Sequence, residues 1–152
     1  MALKKILLAI DDERFGKEIV DFVVGYNWTD GVVFRFLHVI ELSQAFDLPE
    51  VAIEESRRSA SALIKQLSDF IRRSIPGAHI EETVVTGQAK EEIINSAKAW
   101  PADLIVMGSH GRRSLLGLGI FLLGSVSQAV SSHASCSVVI VRLPREGSGE
   151  VS

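Results

Sequence analysis

The sequence predicts an α/β fold, built on a doubly wound parallel sheet with helices on both faces. Short, almost continuous apolar runs alternate along the chain with longer amphipathic segments of helical period. Strands separated by helices run parallel, and near-continuous apolar runs are typical of strands covered on both faces. The chain has 152 residues, of which 47% are hydrophobic and 23% charged, so it is long enough to bury one substantial core.

The first half of the chain predicts two strands joined by an amphipathic helix. The run "LKKILLAI" at residues 3–10 is a candidate buried strand, and "VVFRFLHVI" at residues 32–40 is a second. Residues 41–49 are predicted to form a loop, with or without one helical turn. A helix is predicted over residues 13–26 by apolar residues at helical spacing, which are Phe15, Ile19, Phe22, Val23 and Tyr26.

The second half continues the alternation with three more strands. The longest helix is predicted over residues 50–74, where Pro76 and Gly77 end it. The run "HIEETVV" at residues 79–85 alternates apolar and polar residues, so one face is wet and the strand is predicted at the sheet edge. The remaining predicted elements are a helix at 89–99, a strand at 103–108, a helix at 123–133 and a strand at 136–143.

Charge, cysteine content and the length of the apolar runs exclude several classes of protein. A net charge of −3 gives no basic field to attract nucleic acid. The single cysteine, Cys136, forms no internal disulfide and supplies no metal-binding set, which predicts a reducing, cytoplasmic location. The N-terminal apolar run is too short for a signal sequence. Glycine and polar residues interrupt the apolar run from Ser114 to Ala129, so no membrane partner is expected.

The chain is predicted to form a single domain. No internal repeat or linker interrupts the alternation of strands and helices, so residues 1–144 are expected to fold as one unit. The last residues, "REGSGEVS" at 145–152, are small and polar and are expected to form a disordered tail.

Three loops of the predicted fold converge at the carboxyl ends of the strands, where open α/β sheets bind ligands. They are residues 11–13 after the first strand, 39–41 at the end of the second and 107–111 after the fourth. Glycine in the third loop allows close approach of the backbone to a ligand. The helix that starts near Gly124 and Ser125 directs free N–H groups toward the same edge. The arrangement predicts a nucleotide, with its base between the first two loops and its phosphates on the glycine loop.

Other nucleotide and catalytic fingerprints do not occur in the sequence. The chain has no P-loop pattern G-x-x-x-x-G-K-[ST] and no complete dinucleotide pattern G-x-G-x-x-G. It also has no G-x-S-x-G elbow and no H-E-x-x-H metal motif. No catalytic residue is therefore assigned.

Five stretches of the chain resemble the UspA-like universal stress protein family, and together they cover nearly its whole length. They are "KKILLAID", "LHVIE", "VVTGQAKEEIINSAK", "ADLIVMGSHGRR" and "LLGSVSQAVSSHASCSVVIVR", of which the last two are the most specific. The resemblance implies an adenine nucleotide alpha hydrolase-like fold with strand order 3-2-1-4-5. It also implies a homodimer in which the last strands, here residues 136–143, pair with one another.

The resemblance further implies a site for ATP or AMP, with Mg²⁺ or Mn²⁺ as a candidate companion. In nucleotide-binding members the pattern G-x2-G-x9-G-[ST] holds the ribose and phosphates. Carried over to this chain, Asp11 and Val39 lie near the adenine and its ribose. The residues implied under the ribose and phosphates are Met107, Gly108, Gly111, Gly124, Ser125 and Val126, with Arg112 and Arg113 as further candidate phosphate contacts.

The chain departs from the family pattern in two places. Twelve residues, from Arg112 to Leu123, separate Gly111 from Gly124 where the family has nine. The longer loop either bulges and leaves the two halves of the site, residues 108–111 and 124–125, facing one another, or it moves them apart. In addition, Glu13 stands two positions after Asp11, where the family often has a small residue or serine, and Asp12 lies beside it. Three carboxylates near a triphosphate repel it unless a divalent cation or the arginine pair offsets their charge.

Each of these residues also has a purely structural interpretation. The glycines would shape a loop, Ser125 would cap a helix, Asp11 would end a strand, and the two arginines would be solvated. His38 is predicted to be a hydrogen-bonded core residue, Cys136 a small buried hydrophobe and His110 a spacer. The apolar segment 115–123 is predicted either to cover the pocket or to form a subunit interface.

Three functions compete on these grounds. The first is a stress-response regulatory module that binds ATP or AMP. The second is a dimeric interaction protein of the same fold that no longer binds nucleotide, which the longer loop and Glu13 favour. The third is a slow ATPase, and it ranks last because the sequence shows no obvious general base or positioned lysine.

Overall fold

The computed structural model of the chain describes residues 2–41, 49–109 and 123–144. The elements in chain order are β1 (Lys5–Ala9), α1 (Glu13–Val24), β2 (Val33–Glu41), α2 (Glu50–Ser74), β3 (His79–Gly87), α3 (Ala89–Ala99), β4 (Leu104–Gly108), α4 (Ser125–His133) and β5 (Ser137–Val141). The expectation of a disordered tail concerns residues 145–152, which lie outside the described ranges.

The described strands form one parallel sheet in the order β3-β2-β1-β4-β5. This confirms the predicted doubly wound α/β fold and its strand order. The central strand β1 is buried along Ile6–Ala9, whereas β3 exposes His79, Glu81 and Glu82 and lies at an edge, as its alternating sequence predicts.

The predicted and observed element boundaries differ by at most a few residues. Helix α1 ends at Val24 rather than Tyr26, because the N–H of Gly25 closes the last turn onto the carbonyl of Asp21 at 3.1 Å. Strand β3 continues to Gly87, two residues beyond its predicted end, because its pairing with β2 extends to Glu41. Helix α4 begins at Ser125 rather than Leu123.

Two apolar layers sandwich the sheet. Helices α1 and α2 pack on one face against side chains that include Ile6, Phe34 and Phe36. Helices α3 and α4 pack on the other face against Leu7, Leu37 and others. Each fully buried side chain of this size contributes about 1.5–3 kcal/mol, so these layers supply the main stabilisation of the fold.

The winding reverses between β1 and β4, which are neighbours in the sheet. Strand β1 stops pairing at Ala9, opposite Leu37 of β2 and Met107 of β4. Strand β2 continues to Glu41, and β4 continues to Gly108. Because β1 ends before both of its neighbours, the carboxyl ends of the three strands form a step at β1. We call this step the recess; it lies at the reversal point, where ligands of such sheets bind.

His38 behaves as predicted, whereas Cys136 is less buried than predicted. The Nδ1 atom of His38 lies 2.8 Å from the carbonyl oxygen of Ile10, and the side chain is buried, which confirms a hydrogen-bonded core histidine. Cys136 packs partly buried against the α3–α4 layer. Burial, with a smaller contribution from the Asp103 carboxylate, raises the pKa of the Cys136 thiol.

Within the described ranges no helix is both long enough and apolar enough to cross a membrane.

Candidate functional site

The turn that follows β1 carries three carboxylates, and two of them have cationic partners on α1. Asp12 is the N-cap of α1, where its Oδ1 accepts a hydrogen bond from the backbone N–H of Phe15 at 3.0 Å. Its other oxygen lies 3.3 Å from the guanidinium of Arg14. Glu13 pairs with Lys17 at 3.0 Å on the exposed side of the helix. The charge predicted to repel a triphosphate is therefore partly offset within α1 itself, while Asp11 lies half-buried at the recess.

The end of β2 contributes backbone to the recess. The side chain of Val39 is buried in the α3–α4 layer, as is that of Met107 at the end of β4. The last residue of β2, Glu41, turns toward α3, and its Oε1 accepts a hydrogen bond from the backbone N–H of Ala89 at 3.2 Å. Sequence reasoning placed Glu41 at this edge but missed its role as a cap for α3, because the two residues are distant in sequence.

Gly108 ends β4 against α1. A Cβ atom on Gly108 would lie 2.6 Å from Cδ1 of Phe15, which is closer than side-chain atoms approach one another. Glycine is required here by the packing of α1 on β4, whether or not a ligand is bound. The lack of a side chain at position 108 is therefore explained by the core.

The residues at the two described ends of the glycine loop, Ser109 and Gly124, are hydrogen bonded to each other through the carbonyl group of Ser109. The backbone oxygen of Ser109 accepts a hydrogen bond from the N–H of Gly124 at 2.8 Å and a second from the hydroxyl of Ser127, also at 2.8 Å. The N–H of Ser109 donates to the carbonyl of Val141 at the end of β5, at 2.9 Å. The end of β4 is thus joined directly to the start of α4.

This junction removes the main difficulty raised by the long loop. The longer spacing does not separate Gly108 from Gly124, because Gly124 is hydrogen bonded to Ser109, the residue next to Gly108. Closing twelve residues rather than nine costs only about 0.25 kcal/mol of extra loop entropy. The candidate residues Gly111, Arg112 and Arg113 lie outside the described residues, as do His110 and nearly all of the apolar segment 115–123.

The N-terminus of α4 carries no side-chain cap in the described structure. Gly124 is the N-cap residue, with φ −65° and ψ 163°, and the interpretation of Ser125 as the cap is wrong because Ser125 is already the first helical residue. The first bond of the helix runs from the N–H of Gln128 to the carbonyl of Gly124 at 3.0 Å. The amide groups of Ser125, Val126 and Ser127 precede that bond and have no acceptor within the helix.

The four described helices differ in the charge of their first turns. Acidic residues occupy this turn in α1 (Glu13), α2 (Glu50) and α3 (Glu91 and Glu92), whereas the first turn of α4 has none. An acidic side chain there neutralises the positive end of the helix dipole. Among these helices, α4 alone combines an uncapped N-terminus, neutral first-turn residues and a position beside the end of β4, which suits a bound anion.

The described residues form no cluster of three or more histidine, cysteine or acidic side chains that could hold a metal ion. The site as described offers backbone donors, an exposed hydroxyl on Ser125 and the carboxylate of Asp11. Backbone N–H groups and hydroxyl groups of this kind can donate hydrogen bonds to a phosphate group.

The sequence matches the model of the universal stress protein family over residues 2–142. The chain belongs to the universal stress protein family. Among curated members, universal stress protein A homolog 2 of Coxiella burnetii is 29% identical, over 92% of this chain and 95% of that protein. Universal stress protein YxiE of Bacillus subtilis is 31% identical, over 91% of this chain and 98% of its own length.

Solved structures of universal stress proteins and of MJ0577 share the fold. The MJ0577 protein of Methanocaldococcus jannaschii superposes with a TM-score of 0.84 at 23% identity, covering 95% of this chain and 99% of that one. An Arabidopsis thaliana family member with AMP bound gives 0.65 at 19% identity, covering 94% of each chain. An Archaeoglobus fulgidus member in complex with dAMP gives 0.61 at 20% identity, covering 92% of this chain and 98% of that one. At these identities the likeness supports the fold alone.

Proposed function

We propose that this universal stress protein is a stress-response regulatory module that binds ATP or AMP at the carboxyl ends of β1, β2 and β4. The observation that carries the proposal is the N-terminus of α4. Among the described residues it has no side-chain cap, its first turn has no acidic residue, and the bond between Gly124 and Ser109 holds it at the end of β4. A helix N-terminus of this kind favours the negative charge of a phosphate.

The proposed role of each residue follows from its position at the carboxyl edge of the sheet. The adenine and ribose lie in the recess beyond β1, beside Asp11 and the backbone of Val39, with Met107 and Gly108 beneath the ribose. The amide groups of Ser125 and Val126 and the cap residue Gly124 face the outer phosphates. Gly111, by the family pattern, and Arg112 and Arg113, by their positive charge, are proposed to complete the phosphate site.

The nature of the ligand is supported by the family's solved members. The Arabidopsis and Archaeoglobus proteins were solved with AMP and dAMP, both adenine nucleotides with a single phosphate group. The Mg²⁺ or Mn²⁺ that accompanies ATP would be held chiefly by phosphate oxygens and water, as Mg²⁺ usually is in nucleotide sites.

The proposal extends to assembly, domain organisation and location. Strand β5 is an edge strand of the sheet, and its residues Val138–Val141 are half-buried in the isolated chain although all are apolar. Pairing of the last strands, residues 136–143, in a homodimer would cover them and complete the edge. We place residues 1–144 in one domain and the protein in the cytoplasm, and we expect no nucleic-acid or membrane partner.

Mass spectrometry of the small molecules released on denaturation, combined with thermal unfolding in ATP or AMP with and without Mg²⁺, tests the proposal. A ligand at about 100 times its Kd stabilises the fold by about 2.7 kcal/mol, which corresponds to a rise in Tm of about 5–10 °C for a chain of this size. Guanine and cytosine nucleotides at the same concentration serve as controls. A purified protein that releases no nucleotide, and whose Tm no adenine nucleotide changes, would support instead the dimeric protein without nucleotide binding.

A further inference from the structure

Ser127 and Ser131 lie one turn apart in α4, but their hydroxyl groups donate hydrogen bonds to different kinds of acceptor. Ser127 is only 2% exposed, and its Oγ lies 2.8 Å from the carbonyl oxygen of Ser109 and 3.0 Å from that of Gly124. Ser131 is exposed and donates to the carbonyl of Gln128, within its own helix, at 3.1 Å. Serine in a helix commonly bonds back to its own preceding turn, so the contact with Ser109 is the unusual one.

The contact with Ser109 joins two structural elements whose relative position matters. The Ser109 carbonyl belongs to the chain just beyond β4, while Ser127 and Gly124 belong to the first turn of α4. Packing in the α3–α4 layer holds the body of α4 against the sheet. The two donors to the Ser109 carbonyl add a direct link between the N-terminal end of the helix and the end of β4.

We propose that Ser127 is a positioning residue for phosphate recognition. Through the Ser109 carbonyl, its hydroxyl sets the amide groups of Ser125 and Val126 at a fixed distance from the Met107–Gly108 end of β4. A nucleotide that bridges the two halves needs both of them in register, so a small displacement of α4 weakens the phosphate contacts while the base and ribose contacts remain. The inference rests on the proposed function and assigns Ser127 no contact with the ligand.

The test compares ATP with adenosine, because adenosine occupies only the half of the site that Ser127 does not position. Dissociation constants for both ligands are measured by calorimetry for the wild type, Ser127→Ala, Ser127→Thr and the matched control Ser131→Ala. We expect Ser127→Ala to weaken ATP binding about five- to tenfold, the effect of one hydrogen bond, and adenosine binding less than about twofold. Ser131→Ala should change neither constant, and Ser127→Thr, which keeps the hydroxyl, should restore ATP binding.

Isosteric substitutions keep the test valid if alanine disturbs folding at this buried position. Ser127→Val and Ser127→Thr have the same shape and differ only in the hydroxyl, so the ratio of ATP to adenosine affinity should fall in the valine variant alone. An unchanged ratio, or equal weakening of ATP and adenosine, would overturn the positioning role and leave the proposed function intact. A wild-type protein that binds neither ligand would overturn both.

Discussion

The two ends of the sheet satisfy their backbone amide groups in different ways. At the amino end, the Oδ2 atom of Asp103 accepts hydrogen bonds from the N–H groups of Lys4 and Lys5, each at 2.9 Å. At the carboxyl end, the first amides of α1 and α3 meet the carboxylates of Asp12 and Glu41, whereas no side chain of the described structure caps α4. Amide groups bonded to the protein's own carboxylates stabilise the fold, whereas the first amides of α4, for which the described residues supply no side-chain cap, are the ones proposed to bind the ligand.

The largest effect on ATP affinity should come from placing a carboxylate at the N-cap of α4, the position that Asp12 occupies in α1. Gly124→Asp places an acceptable residue at the N-cap, since φ −65° suits any side chain and aspartate is a favoured cap. We expect stability to be unchanged or slightly higher. ATP affinity should fall about 100-fold or more, because like charges about 4 Å apart near a protein surface repel by about 4 kcal/mol. Calorimetry and urea unfolding measure the two quantities.

Two control variants isolate this effect from a general change in charge. Ser132→Asp adds the same charge near the exposed C-terminal end of α4 and should leave ATP affinity within about twofold. Asp12→Ala should show the reverse pattern, with a loss of about 1 kcal/mol in the free energy of unfolding and no loss of ATP affinity. If Gly124→Asp binds ATP as the wild type does, the phosphates lie elsewhere.

A smaller effect, on stability, is expected at Gly108, where the carboxyl end of β4 packs against Phe15 of α1. Gly108→Ala brings a methyl group against the ring of Phe15 and should lower the free energy of unfolding by about 1–3 kcal/mol, as overpacking does. Urea unfolding of Gly108→Ala, Phe15→Leu and the double variant gives their coupling. We expect the smaller side chain at position 15 to recover at least about 1 kcal/mol in the double variant. Strictly additive losses would mean that the glycine is required for another reason.

The smallest effect concerns pH and the amino end of the sheet. The backbone N–H groups of Lys4 and Lys5 hold the pKa of Asp103 below its usual value of 3.8. Because the folded-state pKa is depressed, the carboxylate contributes stability above the unfolded pKa and loses that contribution as pH falls through the folded one. The difference in unfolding free energy between the wild type and Asp103→Asn should be constant above about pH 5 and shrink below about pH 4.

Asp69 provides the control for this prediction. It is an exposed carboxylate that pairs with Lys65 and Arg72 on the surface of α2, where ion pairs contribute little and are screened by salt. Asp69→Asn should therefore show a weaker pH dependence that disappears in high salt. Should the difference for Asp103→Asn stay flat down to pH 2, the two backbone amides do not stabilise its charged form.

The fold could be predicted almost completely from the sequence because its signals are local. Apolar runs, helical spacing and the Pro76–Gly77 break each act within one element, and the alternating residues of β3 identify an edge strand without knowledge of its neighbours. The parallel order then follows from the alternation of element types and the resemblance to the family.

The site could be predicted only in part because its geometry is set by contacts between distant residues. Counting residues between Gly111 and Gly124 suggested a disrupted site, but the count cannot show that Gly124 returns to the carbonyl of Ser109. Likewise, Gly108 was interpreted through its backbone freedom, while the reason visible in the structure is the ring of Phe15. The polar spacing of Ser127 gave no signal either, since Ser131 repeats it on the exposed side of the helix.

The most direct test of the central claim is the chemical shift of individual backbone amides during nucleotide titration, followed by ¹⁵N–¹H NMR. We expect large shifts for Ser125 and Val126 with ATP and small ones with adenosine, because only ATP brings phosphates to the N-terminus of α4. The amides of Lys4 and Lys5, which Asp103 already satisfies at the opposite end of the sheet, should not move with either ligand. If saturation with ATP leaves Ser125 and Val126 unshifted, the phosphates do not bind at the N-terminus of α4.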